Sequence, residues 1–198
     1  MKNILQETWM IEMIRTLTNM YEHGWDERNG GNVSMLLDEE QVADCLVTGK
    51  VIRTIPTGFP VPALAGRYFL VTGTGKYFKN VQYAPEVNLG IVRITASGDE
   101  AELLWGFTDG GQFTSEFAAH MMSHAARLEV NPNNRIYMHC HPTNLLAMTY
   151  VHELDERAFT RTLWQMCTEC IVVFPDGVNI LPCVVCGTNQ LGWTRRRR

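Results

Sequence analysis

The stretch Leu89-Gly90-Ile91-Val92-Arg93-Ile94-Thr95-Ala96-Ser97-Gly98-Asp99-Glu100-Ala101-Glu102-Leu103-Leu104-Trp105 sets the fold class. Two short apolar runs, Leu89 to Ile94 and Ala101 to Trp105, flank Ser97-Gly98-Asp99, whose residues favour chain reversal, so the whole reads as a β-hairpin. Upstream, Tyr68 to Thr72 reads as a strand running into Gly73-Thr74-Gly75, and Val33 to Leu37 as a shorter one. Downstream, Arg135 to Cys140 is a further strand. Cys170 to Phe174 is a β-branched, strand-like run that ends at the turn Pro175-Asp176-Gly177.

Helical patterns alternate with these strands. Leu5, Trp9, Met13, Ile14, Leu17, Met20 and Tyr21 recur at spacings of three and four until Gly24, which predicts an amphipathic opening helix. After Gly110-Gly111, Thr114 or Ser115 is expected to cap a helix with Glu116 in its first turn and Phe117, Ala118, Met121 and Met122 on its apolar face. Thr143 to Val151 and Arg157 to Met166 also read as helices, whereas the Pro- and Gly-rich stretch between Leu37 and Pro62 reads as an elaborated loop. Strands and helices interleave throughout, with no repeat and no dividing linker, so the chain is expected to be a mixed α/β domain.

Composition narrows the functional classes. With 198 residues, 45% of them hydrophobic and 19% charged, the chain can bury one sizeable core. Polar residues interrupt every apolar stretch before it reaches the roughly 20 residues that a membrane-spanning helix needs. Met1 to Glu7 carries only Lys2 as a base and no continuous apolar run, so a soluble, cytoplasmic protein is expected. Its six cysteines are then free thiols. The net charge is -4 even with the basic run Arg195 to Arg198, which leaves an acidic body poorly suited to nucleic acid.

Four features carry possible chemistry. In His139-Cys140-His141, alternate strand residues put both imidazoles on one face and the thiol on the other. Such a pair suits zinc, although a catalytic zinc takes three protein ligands and two hydrogen-bonded histidines at a strand end are equally compatible. Glu116 is either an ordinary acid at a helix start or a carboxylate able to move a proton beside a metal. Asn29-Gly30-Gly31-Asn32 and Thr72-Gly73-Thr74-Gly75-Lys76 can offer amides, hydroxyls and backbone N–H groups to a phosphate, or can be plain turns; neither has the spacing of a nucleotide loop. Finally, Cys167 and Cys170 with Cys183 and Cys186 form two C-x-x-C pairs, readable as a zinc ribbon with a short spacer or as buried thiols.

Taken in order, Gly24-Trp25-Asp26-Glu27-Arg28-Asn29-Gly30-Gly31-Asn32, Val71 to Lys76, Thr114-Ser115-Glu116, Met138 to His141 and Thr168 to Val178 resemble the motifs of the L-rhamnulose-1-phosphate aldolases, a family of class II aldolases. The likeness spans Asn3 to Gly187. It implies an α/β fold with a largely antiparallel central sheet flanked by helices, assembled as a homotetramer. It also implies reversible cleavage of L-rhamnulose 1-phosphate to dihydroxyacetone phosphate and L-lactaldehyde. By position, His139 and His141 become Zn2+ ligands and Glu116 the acid/base, with Asn29, Asn32, Thr74, Gly75 and Ser115 holding the substrate phosphate.

The family pattern continues past the last residue here and includes a third zinc-binding histidine. Residues 1–187 are therefore expected to form a partial aldolase domain and 188–198 an aberrant tail, with weak zinc retention and impaired turnover. A related sugar-phosphate aldolase or epimerase, such as a fuculose-phosphate aldolase, and a non-catalytic ligand-binding fragment are the alternatives.

Overall fold

In the computed structural model, residues 1–181 are described. The strands are β1 (Asn32–Leu37), β2 (Arg53–Pro56), β3 (Tyr68–Thr72), β4 (Leu89–Ile94), β5 (Glu100–Gly106) and β6 (Ile136–His139). They form one sheet in the order β2-β5-β4-β3-β1-β6, and every neighbouring pair is antiparallel. The helices are α1 (Thr8–Glu22), α2 (Glu39–Ala43), α3 (Phe78–Val81), α4 (Pro85–Asn88), α5 (Phe117–Val130), α6 (Thr143–Val151), α7 (Glu156–Met166) and α8 (Glu169–Val173). This is the expected α/β architecture, an antiparallel sheet between helices.

The two faces of the sheet follow from strand alternation. On one, Met10, Met13 and Leu17 of α1 pack with Val33, Leu70 and Ile91 and with Phe78 of α3. On the other, Phe117, Met121 and Met122 of α5 pack with Phe69, Val71, Val92 and Leu103. Thus β1, β3 and β4 are covered on both sides, and α5 lies across the face where the even residues of β1 point. α1 ends where the sequence predicts, with Gly24 at φ +69, and the hairpin turns at Gly98, φ +77.

Three expectations need correction. The Leu37–Pro62 stretch is not all loop: α2 forms behind a capping box of Asp38 and Gln41, and β2 pairs with the hairpin strand β5. Glu116 does not sit inside the first turn of α5 but precedes it as the cap, and neither Thr114 nor Ser115 caps the helix with its side chain. Thr114 Oγ1 instead accepts the Glu116 N–H, at 3.2 Å. Cys170 to Phe174 is helical, within α8 and its end, and Val172 is 79% exposed, so the run is not a core strand. With no strand beside it among the described residues, helical hydrogen bonding overrides its β preference. Cys183, Cys186 and Arg195 to Arg198 lie outside the described residues.

Candidate active site

Three loops and one strand end meet beside the N-terminus of α5. The loop after α1 is held to β6 by the His141 N–H, which donates to Trp25 O at 2.7 Å. The loop after β3 is stitched to the approach of α5: Thr74 N donates to Gln112 O, and Thr114 N to Thr72 O. Asn32, at the start of β1, lies opposite His139 in the β1–β6 register. The glycines allow this convergence. Gly31 has φ +85, and a Cβ there would stand 2.8 Å from His139 O, while one on Gly30 would stand 2.9 Å from His141 Nδ1.

These elements enclose a cavity of about 220 Å³. Asn29, Asn32, Thr74, Gly75, Ser115, Glu116, His139 and His141 all line it, so the structure gathers the eight residues that the family resemblance assigns to the site, from positions as far apart as Asn29 and His141. The glycine-bearing loops and Ser115 supply neutral hydrogen-bond donors, while Glu116 and the histidines supply titratable groups. A larger apolar cavity of about 440 Å³, behind β6, is lined by Cys140, Leu145, Leu146 and Phe159 among others. It has no acid or base in its lining and is not the candidate site.

Glu116 is 6% exposed, and its Oε2 lies 3.3 Å from His139 Nδ1. The His139 and His141 rings share the cavity face at 4.9 Å between centroids, and Cys140 packs on the opposite, α1 side. His141 Nδ1 is 2.6 Å from Glu27 Oε1. That bond holds the Glu27 carboxyl below the usual carboxylate range. Because a carboxylate only accepts, Nδ1 carries the hydrogen and Nε2 keeps its lone pair, the form a metal ligand requires. Two imidazoles with a carboxylate fixing one of them are a donor set suited to zinc. Among the described residues, however, no third His, Cys, Asp or Glu joins them in a metal-binding cluster. Asp26, buried beside this loop, accepts from Phe78 N at 3.3 Å, and burial raises its carboxyl above the usual range.

Glu27 and a buried polar group on α5 escaped the sequence reading. His120 and His124 project from the helix face that the reading assigned to apolar residues, and both bond Ser34. Their spacing of four on a helix was the available signal, since it places two imidazoles on one stripe. Ser34 gave none.

A sheet of this topology, with a carboxylate, two histidines and a neutral donor loop around one cavity, defines a class II aldolase. The chain belongs to this family: residues 11–193 match the family described as Class II Aldolase and Adducin N-terminal domain. That membership and its rhamnulose-1-phosphate aldolase relatives together mark it as a carbon–carbon lyase. It is 61% identical over 191 residues to the rhamnulose-1-phosphate aldolase of Listeria monocytogenes, covering 96% of this chain and 70% of that protein. The rhamnulose-1-phosphate aldolase of Enterococcus faecalis is 58% identical, over 96% of this chain and 68% of its own length. The fold is also that of a sugar-phosphate aldolase from Thermotoga maritima, with a TM-score of 0.78 and 28% identity over 94% of this chain and 75% of that one.

Proposed function

We propose that this chain cleaves L-rhamnulose 1-phosphate reversibly to dihydroxyacetone phosphate and L-lactaldehyde, with zinc as cofactor. One observation carries the reading: the eight residues expected to bind phosphate, hold metal and move protons line a single cavity. The names of relatives about three-fifths identical to the chain support the choice of substrate.

On this reading the substrate phosphate lies against the side chains of Asn29, Asn32, Thr74 and Ser115 and the backbone at Gly75. Several neutral donors together suffice for a dianion, because backbone and amide N–H groups converging on a concavity make an anion site. The phosphate fixes the sugar so that the bond to be broken lies beside Glu116. As that bond breaks, its electron pair stays on the dihydroxyacetone phosphate side, and the hydroxyl of the departing fragment gives up its proton to solvent as it becomes the aldehyde. Glu116, protonated from solvent, delivers one proton to the carbon left behind, so none is gained or lost overall, and in the reverse direction it removes that proton. A zinc ion held by His139 and His141 supplies Lewis-acid stabilisation of the negative charge that builds beside that carbon. Glu27 orients His141, and the 3.3 Å contact to Glu116 keeps the acid/base next to the metal-binding pair.

The same reading makes the protein cytoplasmic and homotetrameric. No helix among the described residues is long and apolar enough to cross a membrane. Ile136 and Met138, on the edge strand β6, are 54% and 52% exposed, apolar surface of the kind subunit contacts cover.

The test is dihydroxyacetone phosphate release from L-rhamnulose 1-phosphate, by this chain and by the chain extended with the C-terminal segment of the Listeria relative. Release that is lost on chelation supports the proposal, and release by the extended form alone assigns the rest of the metal site to that segment. Release from L-fuculose 1-phosphate only would overturn the substrate assignment, and release from neither sugar by either form would overturn the activity.

A further inference from the structure

Behind the cavity, a row of polar side chains is sealed between β1 and α5. His120 Nε2 bonds Asn32 Oδ1, His120 Nδ1 lies 2.7 Å from Ser34 Oγ, and the same hydroxyl lies 2.8 Å from His124 Nε2. Ser34 and His120 have no exposed surface, and His124 is 2% exposed. The geometry follows from two periodicities: Asn32 and Ser34 are alternate residues of one strand, and His120 and His124 are a helical turn apart, so two strand positions meet one helix stripe. The ring of Tyr137, opposite Ser34 on β6, packs edge-on against His120 with centroids 4.5 Å apart.

With the Asn32 amide as the structure sets it, Oδ1 on His120, the hydrogens of this row fall in one order; the fully reversed order belongs to the rotated amide. An amide oxygen only accepts, so His120 carries its hydrogen on Nε2 and donates to Asn32. In the neutral ring Nδ1 is then an acceptor, and it takes the single hydrogen of the Ser34 hydroxyl. The Ser34 oxygen accepts in turn from His124, whose hydrogen is therefore on Nε2. Burial pushes His124 down to about 4, which keeps that ring neutral around pH 7. Each bonded ring nitrogen thus has one role, and the Ser34 hydroxyl donates once and accepts once.

The end of the row matters most, because the two ends of an asparagine amide are nearly the same in shape and opposite in hydrogen bonding. With Oδ1 held by His120, the Nδ2 end of Asn32 is the one left for the cavity. A rotated amide would require the opposite His120 tautomer, with its hydrogen moved to Nδ1 and the Ser34 hydroxyl turned to His124, and would point its own oxygen toward any bound anion. We infer that His120, backed by Ser34 and His124, is a positioning residue that locks the Asn32 amide so that it presents N–H donors to a phosphate in the cavity. The inference rests on the proposed phosphate site and adds to it the device that gives Asn32 its polarity.

The test is a double-mutant cycle on the full chain, read as affinity for inorganic phosphate by calorimetric titration. Asn32→Ala and His120→Leu are each expected to weaken binding by about tenfold, the worth of one hydrogen bond. His120→Gln, whose amide nitrogen can donate to Asn32 as Nε2 does, is expected to stay within about twofold of the parent. In the Asn32→Ala background, His120→Leu should cost nothing further, a coupling that general loosening of the fold would not produce. Ser34→Ala, a smaller change that frees His120 Nδ1, serves if His120→Leu does not fold. It is expected to weaken phosphate by about threefold, again only when Asn32 is present. Multiplying effects of Asn32→Ala with either His120→Leu or Ser34→Ala, or parental affinity in a folded His120→Leu, would overturn the positioning role while leaving the phosphate site intact. No phosphate binding by the parent, or parental affinity in Asn32→Ala, would instead overturn the phosphate site.

Discussion

His141 Nδ1 donates to Glu27 Oε1 across 2.6 Å, tying the end of β6 to the loop that follows α1. A metal-binding imidazole oriented by a carboxylate keeps its other nitrogen as a fixed lone pair, and losing such a partner typically lowers metal affinity 10- to 100-fold. Glu27→Ala is therefore expected to weaken zinc binding by roughly that factor, measured by competition with a chromogenic chelator. Glu27→Gln, which can still accept through its amide oxygen, should lose less. Unchanged zinc affinity in Glu27→Ala would remove Glu27 from the metal site as an orienting partner.

Stability should fall on mild acidification for a reason located at His124. Its folded value, about 4, is depressed by burial from an ordinary value of 6.5. Between these two values the unfolded chain binds a proton that the folded chain does not, so stability rises with pH across that window. The contribution is fully present above pH 6.5 and is lost as pH falls toward 4, amounting to about 3 kcal/mol at most. Urea unfolding from pH 7 to 4.5 checks this. His124→Gln keeps an N–H donor for Ser34 but has nothing to titrate, and should flatten the slope by about one proton.

Much of this fold could be read from sequence because its central strands are simple. Val33–Leu37, Tyr68–Thr72 and the Leu89–Trp105 hairpin combine apolar runs with clear turn residues, and all are strands. β2 was hidden because Arg53-Thr54-Ile55-Pro56 is short, edge-placed and ends in proline, so only its pairing with β5 makes it a strand. The α8 error came from local β propensity, which Cys170 to Val173 do not obey without a strand to pair with. At the site, the residues alone offered the histidine pair, Glu116 and the two glycine-bearing segments, each with an ordinary structural reading beside it; the ordered family motifs joined them into one site. Of the row behind it, only the spacing of His120 and His124 was legible; the pairing with Ser34 was not, because Ser34 and His120 are separated by 86 residues and carry no motif.

Gly31 should tolerate no side chain. Its φ of +85 already disfavours one, and the added Cβ would face the His139 carbonyl at 2.8 Å, a backbone atom that cannot swing away. Gly31→Ala is expected to cost about 1–3 kcal/mol, from the strained backbone together with the clash. Since relief of the clash moves His139, zinc affinity should drop as well. Thermal unfolding and zinc titration of the same variant check both effects, and a loss of stability with intact zinc binding would show that β6 yields without disturbing its histidine.

Glu116 offers the sharpest division between binding and chemistry. In the proposed reaction its carboxylate exchanges a proton with the hydroxymethyl carbon of dihydroxyacetone phosphate, a step that can be followed without the aldehyde. Glu116→Gln retains size and hydrogen bonding but cannot take up that proton, so exchange of the carbon-bound hydrogen with D2O should slow by 10²- to 10⁴-fold, the usual worth of a general base. Phosphate affinity should stay within about twofold, because Glu116 donates nothing to that group. NMR of dihydroxyacetone phosphate in D2O, with the parent and variant in the zinc-loaded, extended form, gives the rates. Exchange at the parental rate in Glu116→Gln would assign the proton transfer to another group, whereas slow exchange with weakened phosphate binding would mean that Glu116 shapes the cavity rather than acting on the carbon.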